Sequence, residues 1–234
     1  MNVIITGASK GLGKAFAMQF AAAGYTLFLC ARNKAVLATT VQEINNAFPN
    51  CTVHAQTVDM RNKQAVLDFA KFCLSIGTPD ILINNAGQFV PGSINNEEEG
   101  SLETMIETNL YSAYHFTRAL LPNMIASEAN NKHIFNICSI ASLQAYTNGG
   151  SYSISKFALL GFSKNLREEL KQHAIKVTAV MPGAAYTDSW IGSGVSEQRI
   201  MEANDVAKMV YAASLLSPQA CVEEIVMRPQ LGDL

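Results

Sequence analysis

Short runs of β-branched and other apolar residues alternate with longer amphipathic stretches along almost the whole chain. Val3 to Thr6, Thr26 to Ala31, Thr52 to Val58, Ile81 to Asn84, His133 to Ser139, Lys176 to Met181 and Glu224 to Met227 read as strands. Brief apolar runs bounded by turn residues suit strands buried on both faces. The stretches between them run to about 13 to 25 residues, which is helix length rather than strand length. Gly24, Gly77-Thr78-Pro79 and Pro182-Gly183 provide ordinary stop signals. Regular alternation of this kind implies right-handed βαβ units around a buried parallel sheet. The expectation is one doubly wound α/β domain spanning residues 1–234, with about seven strands, helices on both faces and a sheet order that begins 3-2-1-4-5. No repeat, linker or low-complexity tract divides the chain.

Composition narrows the partners more than the fold. The 234 residues suit one large α/β domain, and 17 basic against 19 acidic residues leave the chain near neutral. No basic run is long enough to follow a nucleic-acid backbone, so nucleic acid is not an expected partner. No apolar run reaches the about 18 residues of a membrane span. A strand follows Met1 almost at once, leaving no room for a secretory leader. The five cysteines, Cys30, Cys51, Cys73, Cys138 and Cys221, are odd in number, scattered and without a C-x-x-C pair. Neither a disulfide framework nor a metal site is indicated, and reduced core thiols of a cytoplasmic protein are expected.

The first candidate chemistry lies in IITGASKGLGKAF, residues 4 to 16. A triphosphate P-loop needs glycine where Ala8 stands and Ser or Thr where Ala15 stands. The pattern G-x-G-x-x-G fails at Phe16. What remains is T-G-x-x-x-G-x-G, from Thr6 to Gly13, between a strand and a helix. Gly7, Gly11 and Gly13, together with Ser9, Lys10 and Leu12, form a turn whose backbone N–H groups can approach a phosphate without a Cβ in the way. A tight βα turn without a ligand would read similarly. In dinucleotide folds of the Rossmann type, an acid about 20 residues further on binds the adenosine ribose, whereas an arginine accommodates a 2′-phosphate. Here Cys30-Ala31-Arg32-Asn33 contains no acid. Lys10 and Arg32 both lie at expected helix N-termini, where the helix dipole disfavours a cation by roughly 0.3 to 1 kcal/mol. An anion between them would reverse that penalty, which favours NADP(H) over NAD(H); as solvated charges they would bind nothing. Asp59, beside Met60, is either an acceptor for the adenine amino group or the N-cap of the next helix.

A second set of motifs follows in order. NNAG, Asn84 to Gly87, opens the end of the fourth strand, at the carboxyl edge where ligands of open α/β sheets gather. Ser139 closes the fifth strand, and YSISK places Tyr152 and Lys156 one helical turn apart. A free phenol has a pKa near 10. A positive Lys156 would lower it toward a range useful for proton exchange. TGASKGLG at 6 to 13, NNAG at 84 to 87, Asn109, Ser139, Tyr152, Lys156 and PGAAYT at 182 to 187 together resemble the classical short-chain dehydrogenase/reductase family over nearly the whole length.

That resemblance implies hydride transfer between a nicotinamide and a small carbonyl or secondary-alcohol substrate. It makes Asn109, Ser139, Tyr152 and Lys156 catalytic, with the positive nicotinamide adding to Lys156 in lowering the phenol, Tyr152 exchanging a proton with the carbonyl or alcohol oxygen, and Ser139 donating a hydrogen bond to that oxygen. It also gives cofactor contacts to Asn85, Ala86 and Gly87, to the hydroxyl of Tyr152 and the amine of Lys156, to Pro182 and Gly183, and to Thr187 on the carboxamide. Asn109 is expected to support a water linked to Lys156, although by itself it reads as a helix residue bonded to backbone. Homodimers or homotetramers are common in the family. Substrate choice is expected in Ala141 to Asn148 and in a lid at 188–201. Leu143, Gln144, Tyr146, Trp190 and Ile191, with Ala141 and Phe89, would form a mostly apolar lining without a charged anchor. Trp190 could equally be packing under a loop. Two alternatives stand beside the carbonyl reductase. A 3-oxoacyl-[acyl-carrier-protein] reductase is disfavoured by the lack of a glycine pair in EEIVMRPQLGDL. A non-catalytic NADP(H) sensor would have no need for Tyr152.

Overall fold

A computed structural model describes residues 1–187, 190 and 194–234. Asp188, Ser189 and Ile191 to Ser193, which belong to the expected lid, lie outside the described residues. The first βαβ units are β1 (Asn2–Thr6), α1 (Gly11–Ala22), β2 (Thr26–Ala31), α2 (Lys34–Ala47), β3 (Val53–Thr57), α3 (Lys63–Ile76) and β4 (Ile81–Asn84). A long helical stretch follows as α4 (Ser101–Ile106), a π-turn (Glu107–Tyr111) and α5 (Ser112–Ala126). The remaining elements are β5 (Lys132–Ile137), α6 (Gly150–Leu170), β6 (Ile175–Pro182), β7 (Ala185–Tyr186), β8 (Met201–Glu202), α7 (Ala203–Ser214) and β9 (Glu224–Met227). Seven strands pair in parallel in the order β3-β2-β1-β4-β5-β6-β9. The fold is the expected Rossmann-type doubly wound sheet.

Alternate residues along each strand feed two cores because side chains of a strand point to opposite faces in turn. Val3, Ile5, Leu27, Leu29, Ile81 and Ile83 face α1, α2 and α7, packing with Phe16, Phe20, Ile44, Val206 and Val210. Ile4, Phe28, Leu82, Ile134 and Val177 face α3, α5 and α6, against Phe69, Phe116, Leu120 and Leu166. Each such buried side chain contributes about 1.5 to 3 kcal/mol relative to exposure. The helices begin where local chemistry lets them. Asn33 and Asn62 each accept a hydrogen bond from the third residue on, Val36 N at 3.1 Å and Ala65 N at 3.0 Å.

Several expected boundaries shift. β5 ends at Ile137, not Ser139, because its register with β6 closes at Ile137 opposite Val180. β6 runs one residue further than expected, to Pro182 opposite Met227, and Gly183 N then bonds Met227 O at 2.8 Å. β3 stops at Thr57, and Asn62 rather than Asp59 caps α3, which removes the N-cap reading of Asp59. Cys30, Cys73 and Cys138 are buried thiols, while Cys51 and Cys221 are only partly covered. Among the described residues no helix is long and apolar enough to cross a membrane.

Candidate active site

The carboxyl ends of β1, β4 and β5 open onto one crevice, and Thr6 joins two of its walls. Its hydroxyl accepts from Asn85 N at 3.0 Å and Ala86 N at 2.9 Å. The Asn85 side chain donates to Thr6 O at 2.9 Å and Gly7 O at 3.1 Å. The side-chain amide of Asn85 therefore holds the glycine turn itself. Gly7 and Gly11 have φ of +65° and +54°, a region that favours glycine. A Cβ on Gly11 would lie 3.2 Å from the Thr187 side chain, so the first turn and PGAAYT meet across the crevice. A Cβ on Gly13 would collide with the carbonyl of Gly7.

Helix α1 begins at Gly11 with no capping side chain and no acid in its first turn. A helix start of this kind can present its leading N–H groups to an anion. Ser9 supports the turn by accepting the Thr40 hydroxyl on its carbonyl at 2.7 Å. Leu12 is partly buried against the core, and Lys14 pairs with Glu43. Lys10 and Arg32 are exposed at the mouth, on the turn and just past β2. The Asp59 carboxylate is occupied: Arg61 Nη2 lies 2.7 Å away and the Arg61 backbone N 3.0 Å. Those bonds hold Asp59 below the usual carboxylate range, with Arg32 adding to the effect. Met60 is buried, its sulfur 3.7 Å from the Cys30 thiol.

Ser139 lies two residues beyond β5 as the N-cap of a short 3₁₀ turn, Ile140–Ser142. Its Oγ accepts from Ala141 N at 3.1 Å, which leaves the hydroxyl proton to be donated. Ser142 is buried, and its hydroxyl accepts from Ser139 N at 3.3 Å, supporting the turn. Tyr152 and Lys156 stand on α6, with the Ser139 hydroxyl near the Tyr152 phenol. Lys156 Nζ lies 5.8 Å from the centre of the Tyr152 ring and donates to Ile137 O at 2.9 Å. Burial pushes the phenol up to about 12, and the nearby Ser139 hydroxyl opposes this only in part. Burial likewise brings Lys156 down to about 8. Both shifts are of the sign that desolvation gives, each disfavouring the charged form.

Asn109 sits in the π-turn rather than in a regular helix. Its Oδ1 accepts from Gln88 N at 2.8 Å, and its Nδ2 donates to Gln88 O at 3.0 Å and to Ser155 Oγ at 2.8 Å. A Cβ on Gly87 would be 3.3 Å from Asn109 Oδ1 and 3.5 Å from Lys156 Nζ, so these three converge. Gln88 and Ser155 are functional neighbours that no motif announced.

A family model described as short chain dehydrogenase matches residues 1–197. The chain belongs to the short-chain dehydrogenase family. Like its relatives, this short-chain dehydrogenase is an oxidoreductase. An uncharacterized oxidoreductase of Staphylococcus epidermidis is 29% identical over 227 residues, 97% of this chain and 96% of that protein. The structure of an alcohol dehydrogenase from the archaeon Thermococcus sibiricus, complexed with 5-hydroxy-NADP, has a TM-score of 0.88 at 25% identity, covering 98% of this chain and 96% of that one. Serine dehydrogenase from Escherichia coli has a TM-score of 0.83 at 28% identity, covering 98% of each chain.

At the rim of the dehydrogenase crevice, Phe89 meets the Tyr152 ring edge-on at 4.8 Å between centroids. Leu143, Gln144 and Tyr146 are exposed, and Ala141 is buried in the serine turn. Trp190 N bonds Thr187 O at 2.9 Å.

Proposed function

We propose that the enzyme transfers hydride between NADP(H) and a carbonyl or secondary-alcohol substrate, with Tyr152 exchanging the proton. The convergence of the Tyr152 hydroxyl, the Ser139 hydroxyl and Lys156 carries this reading. The residues fit the cofactor: the uncapped start of α1 and the glycine turn suit a pyrophosphate, and Lys10 and Arg32 suit a 2′-phosphate. Related structures complexed with 5-hydroxy-NADP and NADP support the same choice. When bound, the nicotinamide would supply or accept the hydride.

The chain's own groups do the rest. Burial keeps Tyr152 a phenol at neutral pH, the form that gives a proton to a carbonyl oxygen. Ser139, with one lone pair already held by Ala141 N, donates to that oxygen as charge develops. Charged Lys156 steadies the phenolate that results.

Turnover of a carbonyl panel (ketones, aldehydes, steroids, sugars and a 3-oxoacyl thioester) with NADPH and with NADH tests the reading. Tyr152→Phe is expected to abolish turnover while leaving NADPH binding, followed by fluorescence, intact. A wild-type protein that binds NADPH but oxidises it with no carbonyl would be a sensor rather than a reductase.

A further inference from the structure

Helix α6 carries both Tyr152 and Lys156, yet it has no local cap: Gly149 precedes it and offers no side chain. The acceptor arrives instead from 54 residues upstream. Glu97 Oε1 accepts from Ser151 N at 2.8 Å, and its other oxygen accepts the Ser151 hydroxyl. A carboxylate here satisfies an orphan N–H and lies at the favourable end of the helix dipole. The site is shaped for it: a Cβ on Gly92 would lie 2.6 Å from Glu97 Cγ, and one on Gly150 would overlap the carboxylate.

The segment carrying Glu97 is also tied to the turn before α6. Gly92 N donates to Asn148 O at 3.1 Å, and the Ser93 hydroxyl donates to Asn148 Oδ1 at 2.6 Å. Asn148 adopts φ +61°, the left-handed region, to present both acceptors. The same segment begins with Phe89, whose ring rests edge-on against Tyr152.

We propose that Glu97 is a positioning residue, a remote N-cap that locks the start of α6 and so holds the Tyr152 hydroxyl against Ser139. It acts through Ser151 and touches no reacting atom. The consequence for turnover rests on the proton-donor role of Tyr152 proposed above; the cap itself does not.

Glu97→Ala removes both acceptors, and Glu97→Gln keeps an amide oxygen for Ser151 N. Glu97→Ala is expected to speed amide hydrogen exchange at residues 149–153 while NADPH affinity stays within about twofold. With a working carbonyl substrate, kcat should fall about ten- to a hundredfold with little change in KM, the cost of a small misplacement of a catalytic group. Glu97→Gln should restore most of both. In the cofactor-free protein, the Tyr152 titration, isolated by ultraviolet difference against Tyr152→Phe, should move from its raised position toward that of an ordinary phenol. Unchanged exchange in Glu97→Ala overturns the cap. Faster exchange with wild-type kcat and an unmoved phenol overturns the positioning role. If the wild type turns over no carbonyl, the function proposed above fails, and exchange and phenol titration still decide the role of Glu97.

Discussion

At Tyr152 and Lys156, two groups with ordinary pKa values of about 10 and 10.4 sit in one buried space, and burial moves them apart, to about 12 and about 8. Both shifts disfavour the charged forms, which is the mark of desolvation. The sign for catalysis follows. In the mechanism proposed above, Lys156 would carry its charge below about pH 8 and support a phenolate as the proton leaves, and above that pH the support would be withdrawn. For carbonyl reduction we therefore expect kcat/KM to be level at neutral pH and to decline as pH rises through about 8. A Lys156→Met variant should be slow and lack that decline, and pH–rate profiles of the two proteins check it. Arg32 answers a separate question. Arg32→Asp should weaken NADPH binding and spare NADH, read by titrating each cofactor into the protein, and unchanged NADPH affinity would remove Arg32 from the 2′-phosphate.

Helix starts and turns show which local rules the fold uses and where it departs from them. Asn33 and Asn62 cap α2 and α3 from the adjoining residue, so each substitution to Ala should cost about 1 kcal/mol without touching the site. The π-turn at Glu107–Tyr111 is of another kind. One wide turn inside a helical stretch aims Asn109 at Gln88 and Ser155, joining the loop after β4 to α6. Such turns are frequent at functional sites. Asn109→Ala would leave the part-buried Gln88 N–H without this acceptor, at about 1 to 3 kcal/mol for an unsatisfied group, while the Ser155 hydroxyl keeps its bond to Tyr152 O at 2.7 Å. Thermal melts should thus rank Asn109→Ala well below Asn62→Ala, and only the former should also lower turnover.

Across the whole molecule, stability depends on groups far from the crevice. His133 on β5 is fully buried, stacked on Phe135 at 3.8 Å, with Nε2 2.7 Å from Thr178 Oγ1. Burial, with Lys176 adding to it, lowers its pKa to about 3. The unfolded chain takes up the proton near 6.5 and the folded one does not, so stability is lost as pH falls from about 6.5 toward 3, at a slope approaching 1.4 kcal/mol per pH unit. His133→Leu should make this acid limb shallower in melts recorded across that range. The sequence alone determined the alternation of strands and helices, the sheet's opening order, the glycine turn and the sequence positions of Ser139, Tyr152 and Lys156. Each of these follows from periodicity or turn chemistry within a few residues, or from motifs in a fixed order. Only the tertiary structure decided that Thr6 ties two motifs and that Glu97 caps α6. It also set the direction of the Tyr152 shift. These depend on which distant groups are packed together and on how much water that packing removes, and neither quantity is written in local pattern.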